Sequence, residues 1–351
     1  MDRLDDMGET RMLITRRTTL AAMSATLGVS TFAIGRASAA PSVVNIGFFT
    51  ETKPTMLAKG EGWFAEGAGA KLNWTEMGSG ADINTAITAG SCDIGLATGS
   101  AATASGISQG LPFQLIGIVD NIGPAEEMTV RKAANIKSPA DFKGKKVATP
   151  FGSTSHFRLL GFLKTHGLTQ KDVTVLDMKA AAIVAAWSRG DIDAAYVWAP
   201  AKSKILADGG EVFATSAAMD KAGYVIADLI VVRNGFAEQN PDSVVGFLKA
   251  YGKALNMYRE KPDATSVIVA REAGVTPAVA LADMAEYDFI SLADQASPAW
   301  LGGTPEAPGK FASVLKGTAD FLVEQRSIKS APGVEAFQKA TNTSFLKKAL
   351  A

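Results

Sequence analysis

One cysteine and two histidines occur in 351 residues, and that scarcity closes off much chemistry. Cys92 has no partner for an internal disulfide and does not stand at a cleavage site, so it carries no lipid anchor. Two histidines and one cysteine do not make a metal-spaced cluster, and neither His156 nor His166 has an evident carboxylate to orient it. No catalytic residue, metal or cofactor is therefore expected. Charge of one sign is also missing, with 35 basic and 35 acidic residues and no dense Lys/Arg block. Nucleic acid and anionic membrane are poor partners for such a chain. Past the N-terminus no run approaches the ~18 consecutive apolar residues of a membrane span, so a soluble, unanchored monomer is expected.

What is present begins with an address. Thr15-Arg16-Arg17-Thr18-Thr19-Leu20 precedes a mildly apolar run from Leu20 to Ile34, and Ala37-Ser38-Ala39 supplies the small-x-small pattern of a signal peptidase site. Residues 1–39 read as an export signal cleaved near Ala39 or Ala40, leaving about 310 residues in a periplasm. The paired arginines fit a twin-arginine signal or an ordinary secretory one.

The rest alternates short apolar runs with helical periodicity, the pattern of an α/β protein. Strands are expected at Val43 to Phe49, Lys71 to Met77, Asp93 to Ala97 and Phe113 to Val119, with a helix from Pro54 to Ala65 interrupted by Gly60 and Gly62. The turns after the first three are rich in Gly, Ser and Thr. Because ligands bind outside the carboxyl ends of strands in open α/β sheets, Thr50, Glu51, Ser79, Thr98 and Ser100 are candidate liners of one crevice.

After the polar segment 120–127 comes an extended run, Met128 to Arg131, and then a second α/β series from Lys146 to Thr215. Leu229 to Arg233 reads as a returning strand, and the remainder as an Ala-rich helical tail. The expected organisation is a lobe of 40–127 plus 228–351 and a smaller lobe of 128–227. Two lobes joined by two crossings make a hinged clamshell.

The most informative stretch runs from Lys146 to Pro200. Its first part is a strand entering a Gly-Ser-Thr-Ser turn that opens a helix, where free backbone N–H groups and hydroxyls converge on a place for an anion. Read blandly, Ser153 is an N-cap. Its second part, Gly190-Asp191-Ile192-Asp193 followed by Tyr196 and Trp198, delivers two aromatics on one strand face beside an acid.

Pro150-Phe151-x-Ser153-Thr154-x-His156, the run from Ala182 to Pro200 ending Tyr196-Val197-Trp198-Ala199-Pro200, and Val231-Val232-Arg233-x-x-Phe236-Ala237-Glu238 resemble the periplasmic taurine-binding proteins, solute receptors of sulfonate ABC importers. The similarity covers essentially the whole mature chain. It implies a periplasmic-binding-protein-like clamshell of type II, a small zwitterionic sulfonate as ligand, and an ABC permease with its ATPase as partners. A sulfonate needs an anion cradle, for which Ser153, Thr154, Ser155 and His156 are candidates, with Ser79 and Ser100 from the first lobe. The ammonium needs an acidic or aromatic box. Glu126 and Asp228 on the crossings come first, then Trp198, Tyr196 and Asp193. Asp193 reads equally as a turn residue, Trp198 as core, and either Glu126 or Glu127 as the cleft acid. An amine-free sulfonate or other small anion is the alternative ligand, and an enzyme on the same fold the remote one.

Overall fold

The computed structural model describes residues 41–302 and 309–351, so the expected export signal lies outside the described residues. Among the described residues ten strands form two five-stranded sheets. The first contains β1 (Val43–Phe48), β2 (Lys71–Glu76), β3 (Ile94–Gly99), β4 (Phe113–Asn121) and β10 (Ala227–Arg233), in the order β2-β1-β3-β10-β4. The second contains β5 (Glu126–Arg131), β6 (Lys146–Thr149), β7 (Thr174–Asp177), β8 (Ala194–Trp198) and β9 (Gly210–Ala214), in the order β7-β6-β8-β5-β9.

The orders are equivalent. In each sheet three parallel strands are followed by one antiparallel to both its neighbours: β10 against β3 and β4, and β5 against β8 and β9. Those two antiparallel strands are the ones the chain reaches on crossing between sheets. Each lobe thus completes its sheet with a strand entered from the other.

Helices cover the faces because the parallel strands are apolar on both sides, as in β3, where all six residues are buried. The expected helix from Pro54 divides into Pro54–Gly60 and Trp63–Ala68. Gly62, at φ 74°, makes the left-handed turn between them. The second piece packs tightly on the long helix Pro241–Glu260: a Cβ on Gly67 would sit 2.2 Å from the Gly246 carbonyl oxygen, and Phe64 stacks on Phe247 at 4.1 Å. The extended run expected from Met128 starts two residues earlier, because Glu126 already pairs with Trp198 across the β5 and β8 ladder. Among the described residues no single helix is long and apolar enough to cross a membrane.

Candidate ligand-binding site

Between the carboxyl ends of the two sheets lies a cleft of about 290 Å³, part of it open to solvent, lined by Phe49, Glu51, Gly80, Ala97, Gly99, Glu126, Ser153, Thr154, Trp198 and Asp228. Its wall has three kinds of surface.

The first is a set of helix starts. Gly80 opens Gly80–Thr88, Gly99 precedes Ser100–Ser108, and Ser153 caps Thr154–Thr165. First-turn N–H groups have no intrahelical partner and carry the positive end of the helix dipole. Three such ends at one cavity make an anion-attracting pole. Ala97 reaches its place with φ 59°, a left-handed conformation that costs a non-glycine residue of order 1–3 kcal/mol and clusters at ligand sites.

The second is aromatic. Trp198, the last residue of β8, meets Phe49, just past β1, edge-on at 6.0 Å and 77°.

The third is acidic. Asp228 on β10 stands directly opposite Asp120 on β4 and opposite Gly99 on β3. Like charges facing across a ladder repel. Lys53, with no exposed surface, resolves the conflict: its Nζ contacts Asp228 Oδ2 and lies 2.9 Å from Asp120 Oδ2, 3.2 Å from Glu51 Oε1 and 4.4 Å from the Tyr287 ring centroid. Glu126, also buried, accepts a hydrogen bond from Thr154 Oγ1 at 2.7 Å through Oε2. Its Oε1 makes no hydrogen bond of normal geometry, though the Ser155 hydroxyl is near enough to ease its ionisation.

Burial dominates the electrostatics of these acids. It raises Glu126 to about 7 against the opposing pull of Arg158 and Thr154, and Asp120 to about 7 against Lys53. Glu51 and Asp228 are raised by the same cause, again opposed first by Lys53. Arg158, fully buried on the helix Thr154–Thr165, donates to the carbonyls of Glu126 and Tyr224, to Ser216 and to Asp220. It ties both crossings to the second sheet. Among the described residues no group of three or more His, Cys, Asp and Glu is disposed to hold a metal ion.

Of the residues expected from sequence, Ser153, Thr154, Glu126, Asp228 and Trp198 meet at the cavity, whereas Ser155, His156, Ser79, Ser100, Tyr196 and Asp193 do not line it. The reasons are local. Ser79 caps Gly80–Thr88 in a capping box with Asp82, and Ser100 Oγ accepts from Ala227 N at 3.3 Å. Ser155 is fully buried beneath the helix start, and Tyr196 lies two residues deeper along β8 than Trp198. Asp193 accepts from Lys146 N at 2.8 Å, bonding a neighbouring strand rather than a ligand or its own turn.

Ser153 does line the cavity, but its hydroxyl already donates to Pro150 O at 2.6 Å and accepts from His156 N at 3.1 Å. The cap reading describes that hydroxyl, and the cradle rests on backbone N–H groups. Of Thr50, Thr98 and Glu51, only Glu51 reaches the cavity. The choice between the adjacent glutamates resolves by strand alternation: Glu126 faces the cavity, while Glu127 accepts from Ser216 N at 3.0 Å and lies 3.6 Å from Lys202. Both acids of the crossings already have structural partners, Asp228 in Lys53 and Glu126 in Thr154. Nothing in the local sequence marks Lys53 or Asp120, because Asp120 acquires its role through strand pairing and Lys53 through ion pairs with distant residues.

Ser153 and His156 are not arranged as a nucleophile and its base. The His156 ring stacks on Phe151 at 4.4 Å, takes an N–H from Gly152 at Nδ1 at 3.4 Å, and is held neutral by burial, which lowers it to about 4. Its ring makes no hydrogen bond to the Ser153 hydroxyl. The letters Gly-x-Ser-x-Gly occur once in this part of the fold, at Gly106 to Gly110, but Ser108 ends a helix and donates to Ala104 O at 2.8 Å. A nucleophile elbow instead turns from strand to helix.

A clamshell with one small, dipole-rich and acid-lined cavity defines a solute-binding class of protein, and comparison places the chain within a family. The NMT1/THI5-like family model matches residues 50–265, and the chain belongs to that family. It is 32% identical over 325 residues to the taurine-binding periplasmic protein of Escherichia coli (strain K12), covering 90% of this chain and 95% of that one. Among solved structures it is similar to the alkanesulfonate-binding protein SsuA from Xanthomonas axonopodis pv. citri bound to MOPS, at TM-score 0.72 and 22% identity, covering 87% of this chain and all of that one. The desulfurization enzyme DSZB also shares the fold, at TM-score 0.59 and 16% identity, covering 88% and 99%. Fold alone does not divide receptor from enzyme.

Proposed function

We propose that this protein is an extracytoplasmic solute-binding protein that captures taurine or a close aminosulfonate between its lobes, 40–127 plus 228–351 and 128–227, and hands it to an ABC permease. Residues 1–39 act in this reading as the export signal that delivers it to the periplasm. The supporting observation is that one cleft brings three helix starts together with Glu51, Asp228 and Glu126. A sulfonate is anionic at physiological pH and needs only N–H donors, each charge-assisted bond contributing about 1.5–3 kcal/mol. An ammonium on the same ligand answers the acids, and the Trp198 face adds about 0.5–2 kcal/mol.

An amine-free alkanesulfonate would bring no cation to those carboxylates. Calorimetry decides between the two. Taurine is expected to bind one to one and at least tenfold more tightly than ethanesulfonate. Asp228→Asn and Glu126→Gln each weaken taurine by roughly 10- to 100-fold, the loss of one charge-assisted bond, with little change for ethanesulfonate. Equal affinities for the two ligands would remove the ammonium from the reading.

A further inference from the structure

Glu51, Asp120, Asp228 and Glu126 are all buried around one cavity, and the only cation held among the first three is Lys53. The groups packed against them add little compensation. Arg158 faces Glu126 but is shared with Asp220; Tyr287 over Lys53, and Tyr251, which donates to Val119 O at 2.5 Å, are neutral phenols pushed up by burial. The count of buried charges does not close on its own. Carboxylates buried this close together do not all stay ionised without matching cations, and neutralisation by protons is the remaining route.

We propose that Lys53 and Asp120, which lie behind the cavity wall, are positioning residues that set the charge of the ammonium box, and that the empty box holds a proton which the ligand's ammonium displaces to solvent. The inference rests on the aminosulfonate reading and goes beyond it, since it assigns a specificity role to two residues outside the lining. Asp120, directly opposite Asp228 on the adjacent strand, makes full ionisation of the pair costly. Lys53 offsets one charge and fixes Glu51 and Asp228 by the same ammonium. The raised values of Asp120 and Glu126, both about 7, agree with a proton resident near neutral pH. The exchange balances: an ammonium enters as a cation, a carboxyl O–H bond breaks, the carboxylate keeps the electron pair, and the proton leaves to buffer. An amine-free sulfonate brings no cation and releases none.

The test is titration calorimetry of the full mature protein at pH 6.5 in phosphate and in imidazole, whose ionisation heats differ and which carry no sulfonate to compete. Taurine binding should release roughly one proton, so its affinity should increase with increasing pH, by up to about tenfold per unit, and level off above pH 7. Asp120→Asn should cut the release by at least half. A taurine heat identical in the two buffers overturns the inference while leaving the aminosulfonate reading intact, and needs no variant. Equal release by ethanesulfonate also overturns it. Failure of taurine to bind where ethanesulfonate binds overturns both.

Discussion

Lys53 is the residue on which the first sheet's acids depend. Removing one partner of a buried ion pair leaves an uncompensated charge and costs about 3–5 kcal/mol, and here three carboxylates contact one ammonium. Lys53→Met should lower stability by at least that range in urea unfolding, with part of the loss recovered by adding Asp120→Asn. The pH dependence follows with an unusual sign. Asp120 and Glu126 move up from 3.8 and 4.5 to about 7, so between pH 4 and 7 the folded protein binds more protons than the unfolded chain. Their contribution is fully present at low pH and is lost as pH rises through 7, opposite to the usual salt-bridged carboxylate. The thermal midpoint of ligand-free protein should therefore fall between pH 5 and 7.5, a fall that taurine diminishes; a midpoint that rises over that window would contradict the assignment. None of this was legible along the chain. Asp120 and Asp228 stand 108 positions apart and meet only because β10 enters the first sheet between β3 and β4.

At the scale of elements, the starts of helices were legible and their use was not. Gly-Ser-Thr-Ser after an apolar run marks a strand entering a helix, and the structure has Thr149 ending β6 and Thr154 opening the next helix. The same residues suggested hydroxyl donors, yet Ser153 and Ser79 spend their oxygens on capping, as short polar side chains at helix starts commonly do. Where two elements meet across the cleft, a glycine decides the fit. A Cβ on Gly99, at the end of β3, would come within 2.8 Å of Thr154 Cγ2 on the facing helix. Gly99→Ala is expected to prop the lobes apart and weaken taurine by about tenfold, the effect of roughly 1.4 kcal/mol of overpacking. Thr154→Ser removes that methyl and keeps the hydroxyl on Glu126, so the double variant should recover most of the affinity. No recovery would place the defect elsewhere.

At the scale of the molecule, the lobes are bridged away from the cavity as well. Lys202 of the second lobe pairs with Glu286 at 2.8 Å and with the Pro124 carbonyl, and Asp283 accepts from Thr52 at 3.1 Å and from Ser203. The bonds of Lys202 and Ser203 join the helix Ala201–Ala207 to the end of the helix Pro277–Met284 and to Glu286 just beyond it. Lys202→Met is expected to shift the ligand-free protein toward open forms, read as a larger radius of gyration in solution scattering, with the taurine-bound radius unchanged. The α/β alternation and the two crossings were readable from periodicity, because each strand and helix carries its own pattern. Which strands adjoin was not, since pairing depends on contacts made far along the chain.

The exchange of antiparallel strands between the sheets bears on how the molecule comes into being. β10 occupies the fourth place in a sheet whose other strands end by Asn121, so over 100 residues must be made before that sheet has its interior partner. Contacts of such long sequence separation slow folding, and a ribosome that has released only the first 130 residues holds β3 and β4 without the strand that separates them. A nascent chain of this kind cannot close its first sheet until β10 has been made, whatever has already folded ahead of it.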